Sequence, residues 1–552
     1  MSAWTETIAL WRNPIFARYC RSRLRLKSAV FWYLLAVIVT TFVVTLGYVL
    51  MINAATPPQT AARRLWIPLL IIQGAILMIK GTGAVAAGLI QDKIDQTLDY
   101  QRLTPLSPLQ CLLGYLYGLP VLELVMFALT LPHLAFIVVI GNIPLSALVG
   151  VYFAFFVCVT LYHMTAIAVG IVMNRWILGY LLSIFTVLLI NMILPTFVSQ
   201  LGLKFVQFLS VWPVIGQKVL PIVVSPDALD VAARNPYFSM AADVPVYDWL
   251  VTPLVFTTLL QGSLILTFFL MAYRRWRSAA QHSLSKPYAM VFLAGFIVLV
   301  IGNVWPAVTG RYLPFQIFGQ NDLSQLTEVI AIAFPLIFSL ISWLLTGVLL
   351  AVVVPGHHAC VRGLRRAARQ GRTSPAPWDD DSANIAFLAL FVVIVMIGFY
   401  ILYSQLAAAG FFDFRVDARF GLWRLPTALA LVLLYTLMLL QVLELRPATL
   451  VVLLLWFVPL LVSAVLSAAA QEATMLQAVI ASVSPIGVLV MAGAVPLIGF
   501  VPEDPGLGVD LVVTGCHAGL VFVSLQIVFL AVRWRMLMRA FRLSVERNAM
   551  LA

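Results

Sequence analysis

Charge is scarce in this sequence. Asp, Glu, Lys and Arg make up 10% of its 552 residues, whereas a soluble chain carries about 25%. With 62% hydrophobic residues and a mean hydropathy of +1.02, there is too little polar surface to clothe a water-facing globule. The dipeptide Gly-Lys is absent, which excludes a P-loop; any ATP hydrolysis would come from a separate chain. The five cysteines fall, by the topology expected below, in cytoplasmic segments or inside apolar spans, so no disulfide framework is implied. No cleavable signal peptide is expected, because the apolar stretch behind the basic N-terminal residues is too long for one.

What is present comes in long apolar runs, each able to span a bilayer. Spans are expected at residues 28–51, 65–90, 108–140, 145–173, 176–201, 249–273, 288–308, 329–354, 385–408, 425–443, 449–469 and 511–532. Pro120 and Pro132 are expected to kink the third. The net charge of +12 sits in clusters at span ends, which is the positive-inside pattern rather than a nucleic-acid surface. Arg12, Arg18, Arg21, Arg23, Arg25 and Lys27 precede the first span, and Trp4, Trp11, Phe16 and Tyr19 are interleaved with them. Residues 1–27 therefore read as an interfacial helix with a cytoplasmic N-terminus. Residues 534–552 read as a cytoplasmic tail. Residues 476–500, broken at Ser484-Pro485, read as a re-entrant pair on the outer side, because a full crossing would place the C-terminal arginines outside.

The two halves, residues 28–277 and 278–533, share an order: two spans, a cytoplasmic connector, three spans, an outer segment and a last span. The connectors are residues 91–107 and the polar loop 355–384; the outer segments are 204–248 and 476–500. Each outer segment holds a Val-Ser-Pro, at Val224-Ser225-Pro226 and Val483-Ser484-Pro485. The shared order points to a duplicated unit.

The first connector reads QDKIDQTLDYQRLTPLS. On a helix, Ile90, Ile94 and Leu98 fall on one face and Asp92, Asp95 and Asp99 on another. Thr104-Pro105 ends such a helix, and Ser107, Pro108 and Gln110 form a start signal for the next. An amphipathic helix with an acidic stripe reads either as a plain connector or as a docking helix for a basic partner.

The run from Thr97 to Ser107 resembles the segment after the second span in ABC-2-type permeases, the membrane subunits of many ABC exporters. Asp92 and Lys93 resemble that segment's acidic-basic opening, and Thr97, Leu98, Asp99, Leu103, Thr104, Pro105, Leu106 and Ser107 match in register. Asn13-Pro14-Ile15-Phe16 with the following arginines resembles the family's N-terminal interfacial helix. The chain departs from the pattern at Gln96, usually Gly; Ile94, usually acidic; Tyr115, often Lys; and Tyr19, often acidic. The resemblance implies that residues 91–107 are a coupling helix. Asp92, Asp95, Thr97, Leu98, Asp99, Arg102, Thr104 and Pro105 would form or fix its contact with a cytoplasmic ATPase dimer, which would bind ATP and Mg. The second connector carries no such motif.

The expectation is therefore an all-α polytopic protein of about twelve transmembrane helices, arranged as two ABC-2-like repeats of about six each with outer re-entrant segments. It would be a permease subunit of an exporter in a prokaryotic plasma membrane, not itself an enzyme and without a cofactor of its own. Two alternatives stand beside it: a secondary transporter without an ATPase, and a lipid-linked glycosyltransferase or polymerase. The first connector lacks the glycine-arginine motif of the major facilitator family, and residues 52–64 lack the acids of a glycosyltransferase outer loop. Lys80, Glu123 and His163 are polar groups inside spans; Lys80 and Glu123 either pair or lie near an interface, and His163 reads as a packed helix residue. Gly81-Thr82-Gly83 reads as close helix packing rather than a nucleotide loop. His357, His358 and Cys360 read as loop residues rather than metal ligands.

Overall fold

The computed structural model describes residues 10–173, 175–193, 204–224, 243–278, 281–308, 323–408, 423–445, 449–469, 475–498 and 505–550. Among them, ten helices are long and apolar enough to cross a membrane. Large apolar side chains such as Phe31, Ile38 and Phe42 stand exposed along them, a surface suited to lipid and not to water. The protein is a helical, multi-pass membrane protein. It divides into two compact units, Met1–Gln281 and His282–Ala552.

The first unit opens with α1 (Pro14–Arg23). The Asn13 side chain caps it by accepting from the Ile15 and Phe16 amides, and Pro14 takes the first position, where no donor is needed. Next come α2 (Leu26–Asn53), α3 (Pro58–Arg64) and α4 (Trp66–Gly74). A π-helical stretch, Ala75–Gly81, leads into α5 (Thr82–Ile94). Then come α6 (Thr97–Arg102), α7 (Pro108–Gly118), α8 (Val121–Gly141), α9 (Leu145–Val172) and α10 (Trp176–Leu188). Short helices α11 (Trp212–Lys218) and α12 (Leu220–Val223) follow, then an antiparallel hairpin of β1 (Val244–Val246) and β2 (Trp249–Val251), with Val246 opposite Trp249, and α13 (Pro253–Arg277). Helix α9 is the hub: it packs on α5, α11 and α13, while α2 packs on α8 and α10 on α5.

The second unit holds α14 (Lys286–Val308), α15 (Leu323–Val353), α16 (His357–Arg369), α17 (Ile385–Ala408), α18 (Arg424–Leu445) and α19 (Thr449–Ala469). It closes with α20 (Met475–Ala481), α21 (Pro485–Ile498) and α22 (Pro505–Met550). Here α18 packs on α15, α21 and α22, and α14 packs on α17.

Several sequence expectations change. The stretch 108–140 is two helices, not one. It breaks at Leu119-Pro120, where proline lacks a donor and clashes with the preceding turn. Pro132, by contrast, sits inside α8. The polar loop 355–384 begins with a helix, α16, because Cys360, Leu364 and Ala367 give it a buried face. Of the expected spans, 449–469 is helical over its whole length as α19, whereas 176–201 appears among the described residues as a shorter apolar helix, Trp176–Asn191. Within the expected re-entrant stretch, Met475–Ala481 and Pro485–Ile498 form a helix–turn–helix in which a Cβ on Gly487 would lie 2.0 Å from the Ala481 carbonyl oxygen, so only glycine lets the turn close. Ser225 and Pro226 of the first Val-Ser-Pro lie outside the described residues.

The connector also departs from a single helix. Helix α5 runs to Ile94, and Gln96 then takes the left-handed conformation, with φ 57 and ψ 13, before α6 starts. A side chain there costs energy that glycine avoids. Replacing Gln96 by Gly should stabilise the protein by about 0.5–1 kcal/mol, and Gln96→Val should destabilise it. Thermal unfolding of the detergent-solubilised protein, read for both variants, checks this.

Candidate functional site

The three aspartates do not share an environment. Asp92 points inward and is 7% exposed, whereas Asp95 and Asp99 face outward. An isolated buried carboxylate is costly, and this one is fully supplied with donors. The Arg18 guanidinium donates to both its oxygens at 2.6 and 2.8 Å. The Tyr19 hydroxyl donates at 2.6 Å and the Tyr115 hydroxyl at 2.7 Å. The Gln101 amide then donates to the Tyr115 hydroxyl at 2.8 Å. Burial, and then the Asp92 charge, push the Tyr19 phenol well above its ordinary value, so it stays a protonated donor. Arg18 lies over the Tyr19 ring at 4.9 Å, and the Tyr115 ring packs on Trp276 of α13 at 5.5 Å.

Two glycines allow this convergence. A Cβ on Gly114 would lie 2.7 Å from Ile15, and one on Gly118 would lie 3.0 Å from Tyr19, so α1 lies directly on α7. The Asn13 amide donates to the Gln110 carbonyl at 2.6 Å and ties the two helix starts together. Ser107 and Gln110 form the reciprocal cap expected from their spacing. Thr104 donates to the Gln101 carbonyl at 2.6 Å, closing the turn before Pro105.

Helix α6 is therefore fixed from behind and free in front. Leu98 and Gln101 are buried, while Tyr100 is 69% and Leu103 86% exposed. Ile94, Asp95, Asp99 and Pro105 are also exposed, and Thr97 and Thr104 are half-buried. Arg102 pairs with Asp99 and also donates to the Arg275 carbonyl at 3.1 Å, which links α6 to the end of α13. The result is an exposed apolar tip with acidic flanks, rigidly joined to α1, α5, α7 and α13.

The intramembrane groups form a second constellation. Lys80 and Glu123 are ion-paired, and the Lys80 ammonium also lies 4.5 Å from the centre of the Trp32 ring. Glu123 is 1% exposed. Either charge alone would cost roughly 2.5–3.5 kcal/mol at mid-membrane. The wide π turn before Gly81 leaves the Leu77 carbonyl beside the His163 imidazole, with Nε2 at 3.0 Å. Because a carbonyl only accepts, that nitrogen carries the proton. Nearby, Gln73 donates to Thr130 at 2.8 Å and accepts from Tyr152 at 2.6 Å.

Gly83 takes the Tyr180 ring against its backbone, with a would-be Cβ at 2.5 Å; this is close packing and not phosphate binding. His357 packs on the Phe541 ring at 4.7 Å. Burial pushes the Cys360 thiol up to about 11. Among the described residues no three His, Cys, Asp or Glu side chains gather as a metal site.

Sequence reasoning placed Asp92 on the outer face and passed over Arg18, Tyr19, Gln101 and Tyr115 as its partners. A signal was present: Tyr19 and Tyr115 both depart from the permease pattern, and their rings lie 5.8 Å apart on the same carboxylate. Comparison of the chain with family models, curated proteins and solved structures returns no match.

Two outcomes follow. Asp92→Ala strands two buried hydroxyls and should cost about 3 kcal/mol or more, whereas Arg18→Gln at a half-exposed site should cost about 1 kcal/mol; thermal denaturation of the two variants checks the order. Lys80→Glu should impair folding in the membrane, and adding Glu123→Lys should restore much of the yield. Loss of the Trp32 contact keeps that rescue incomplete, and no rescue at all would refute a direct pair.

Proposed function

We propose that this chain is the permease subunit of an ABC-type transporter, working with a cytoplasmic ATPase dimer in trans and exporting its substrate across a prokaryotic plasma membrane. The observation that carries this reading is the geometry of α6: an exposed Tyr100–Leu103 tip, flanked by Asp95 and Asp99 and welded to four other helices. A partner that closes on ATP would push the tip. The push would pass through Arg102 to α13 and through Gln101 and Tyr115 to Asp92 and α1. ATP and Mg belong to that partner, and this chain supplies no catalytic group. The resemblance of Thr97–Ser107 to the coupling segment of ABC-2-type permeases supports the same assignment.

The reading includes about twelve crossings in two repeats, with both termini in the cytoplasm and outer re-entrant segments around α11–α12 and α20–α21. Its support is the matching neighbour pattern. In each unit the first and third spans pack together (α2 with α8, α14 with α17), as do the second and fourth (α5 with α9, α15 with α18) and the fourth and sixth (α9 with α13, α18 with α22). The outer helices pack between the fourth and sixth spans in both. Positive charge at the ends of α1, α13 and α22 favours cytoplasmic placement of those ends.

The Lys80–Glu123 pair favours a second reading, an ion-coupled transporter without an ATPase. One experiment separates the two. The intact chain, purified from its native membrane, should retain a P-loop ATPase. Asp95→Arg with Asp99→Arg, or Tyr100→Ala with Leu103→Ala, should abolish that association while leaving the chain folded. If the intact chain never retains an ATPase and these substitutions leave transport unchanged, the coupling reading fails.

A further inference from the structure

In the second unit a pocket of about 510 Å³ opens where helix α16, the start of α17 and the end of the apolar run of α22 meet. One wall is a single stripe of α22: Ala531, Arg535, Met538 and Arg542, residues at helical spacing that pass from apolar to basic. Ile385 at the head of α17 and Met438 of α18 continue the apolar wall, and Ser374 and Asn384 add polar groups at the mouth. The pocket is thus apolar toward the long apolar runs of α17 and α22 and cationic toward the end of α22.

The site is built in advance. Asp381, on its floor, is 5% exposed and accepts from Arg362 at 3.0 Å and Arg366 at 3.1 Å, so its charge is cancelled. Lys286, itself 1% exposed, donates to the Asp379 and Ser382 carbonyls and pins the turn that carries Asp381. A Cβ on Gly363 would lie 2.7 Å from Asp381, so α16 sits tightly against that turn. Arg535 and Arg542 pair with no acid among the described residues. Trp534 lines the same wall, and its buried Nε1 has no acceptor. Two cations without an acid, and a donor without an acceptor, among the described residues above an apolar wall call for an anion that carries a chain.

We propose that this pocket binds one anionic phospholipid, its headgroup phosphate on Arg535 and Arg542 and its first methylenes along Ala531, Ile385 and Met438. A free phosphate would leave the apolar wall uncovered, and a zwitterionic lipid brings a cation to a site with two already. Basic pockets between spans hold anionic headgroups for these reasons. The inference is independent of ATPase coupling, since it involves no residue of the first unit.

The test is native mass spectrometry of the full chain in detergent, titrated with phosphatidylglycerol, with phosphatidylcholine and with inorganic phosphate. The wild type should bind one phosphatidylglycerol about tenfold or more tighter than phosphatidylcholine, and inorganic phosphate should not displace it. Each arginine near the headgroup is worth about fivefold, so Arg535→Gln with Arg542→Gln should weaken binding roughly 25-fold. The Lys-for-Arg pair at both positions should stay within about fivefold of wild type and shows that the pocket is intact. Arg365→Gln with Arg369→Gln, on the exposed side of α16, should change affinity less than about twofold. Equal loss in that control pair would reduce the effect to diffuse surface charge. Competition by inorganic phosphate would make the ligand a soluble anion, and no preference between the lipids would leave no anion site; each result overturns the proposal.

Discussion

One carboxylate organises the face of the first unit where α6 projects. Asp92 is a buried carboxylate that must be met by donors, and it takes them from Arg18 and Tyr19 of α1 and Tyr115 of α7, the last itself held by Gln101 of α6. Its demand draws α1 onto α7, sets the direction in which α6 leaves α5 and leaves Tyr100 and Leu103 turned outward. Hydrogen bonds to a buried charge are among the strongest a protein makes, and losing any one leaves the others under-compensated.

The same rule governs the membrane interior. Where lipid surrounds the spans, each polar group needs a protein partner. The π stretch Ala75–Gly81 displaces the Leu77 carbonyl, and His163 meets it. Lys80, at the end of that stretch, is met by Glu123 and Trp32. Gln73, Thr130 and Tyr152 satisfy one another a turn or two away. The irregular backbone and the polar side chains are thus one feature: the wide turn places groups that a regular helix would have kept apart.

A parallel runs between the units. In each, one buried aspartate near a span boundary is neutralised by arginine from a short amphipathic helix: Asp92 with Arg18 of α1, and Asp381 with Arg362 and Arg366 of α16. The surroundings differ. Around Asp92 the remaining donors are phenols turned inward. Around Asp381 the further arginines, Arg535 and Arg542, pair with no acid among the described residues and open onto a pocket.

Much of the fold was legible in the sequence. Span existence followed from apolar length, because a bilayer imposes a minimum run. The cap at Ser107 followed from local hydrogen-bond chemistry and stands as read. The helical periodicity of the connector misled, because it assumes an unbroken helix, and a single left-handed residue at Gln96 resets the phase. Composition and periodicity by themselves determined that this chain lives in a membrane and roughly where its long apolar helices lie, and left Lys80 and Glu123 either to pair or to lie near an interface. Only the tertiary structure decided that Asp92 faces inward, that Tyr19 and Tyr115 share it, and that Arg362 meets Asp381 while Arg535 meets no acid among the described residues. Those are pairings between residues far apart in the chain, and no local propensity encodes which donor reaches which acceptor.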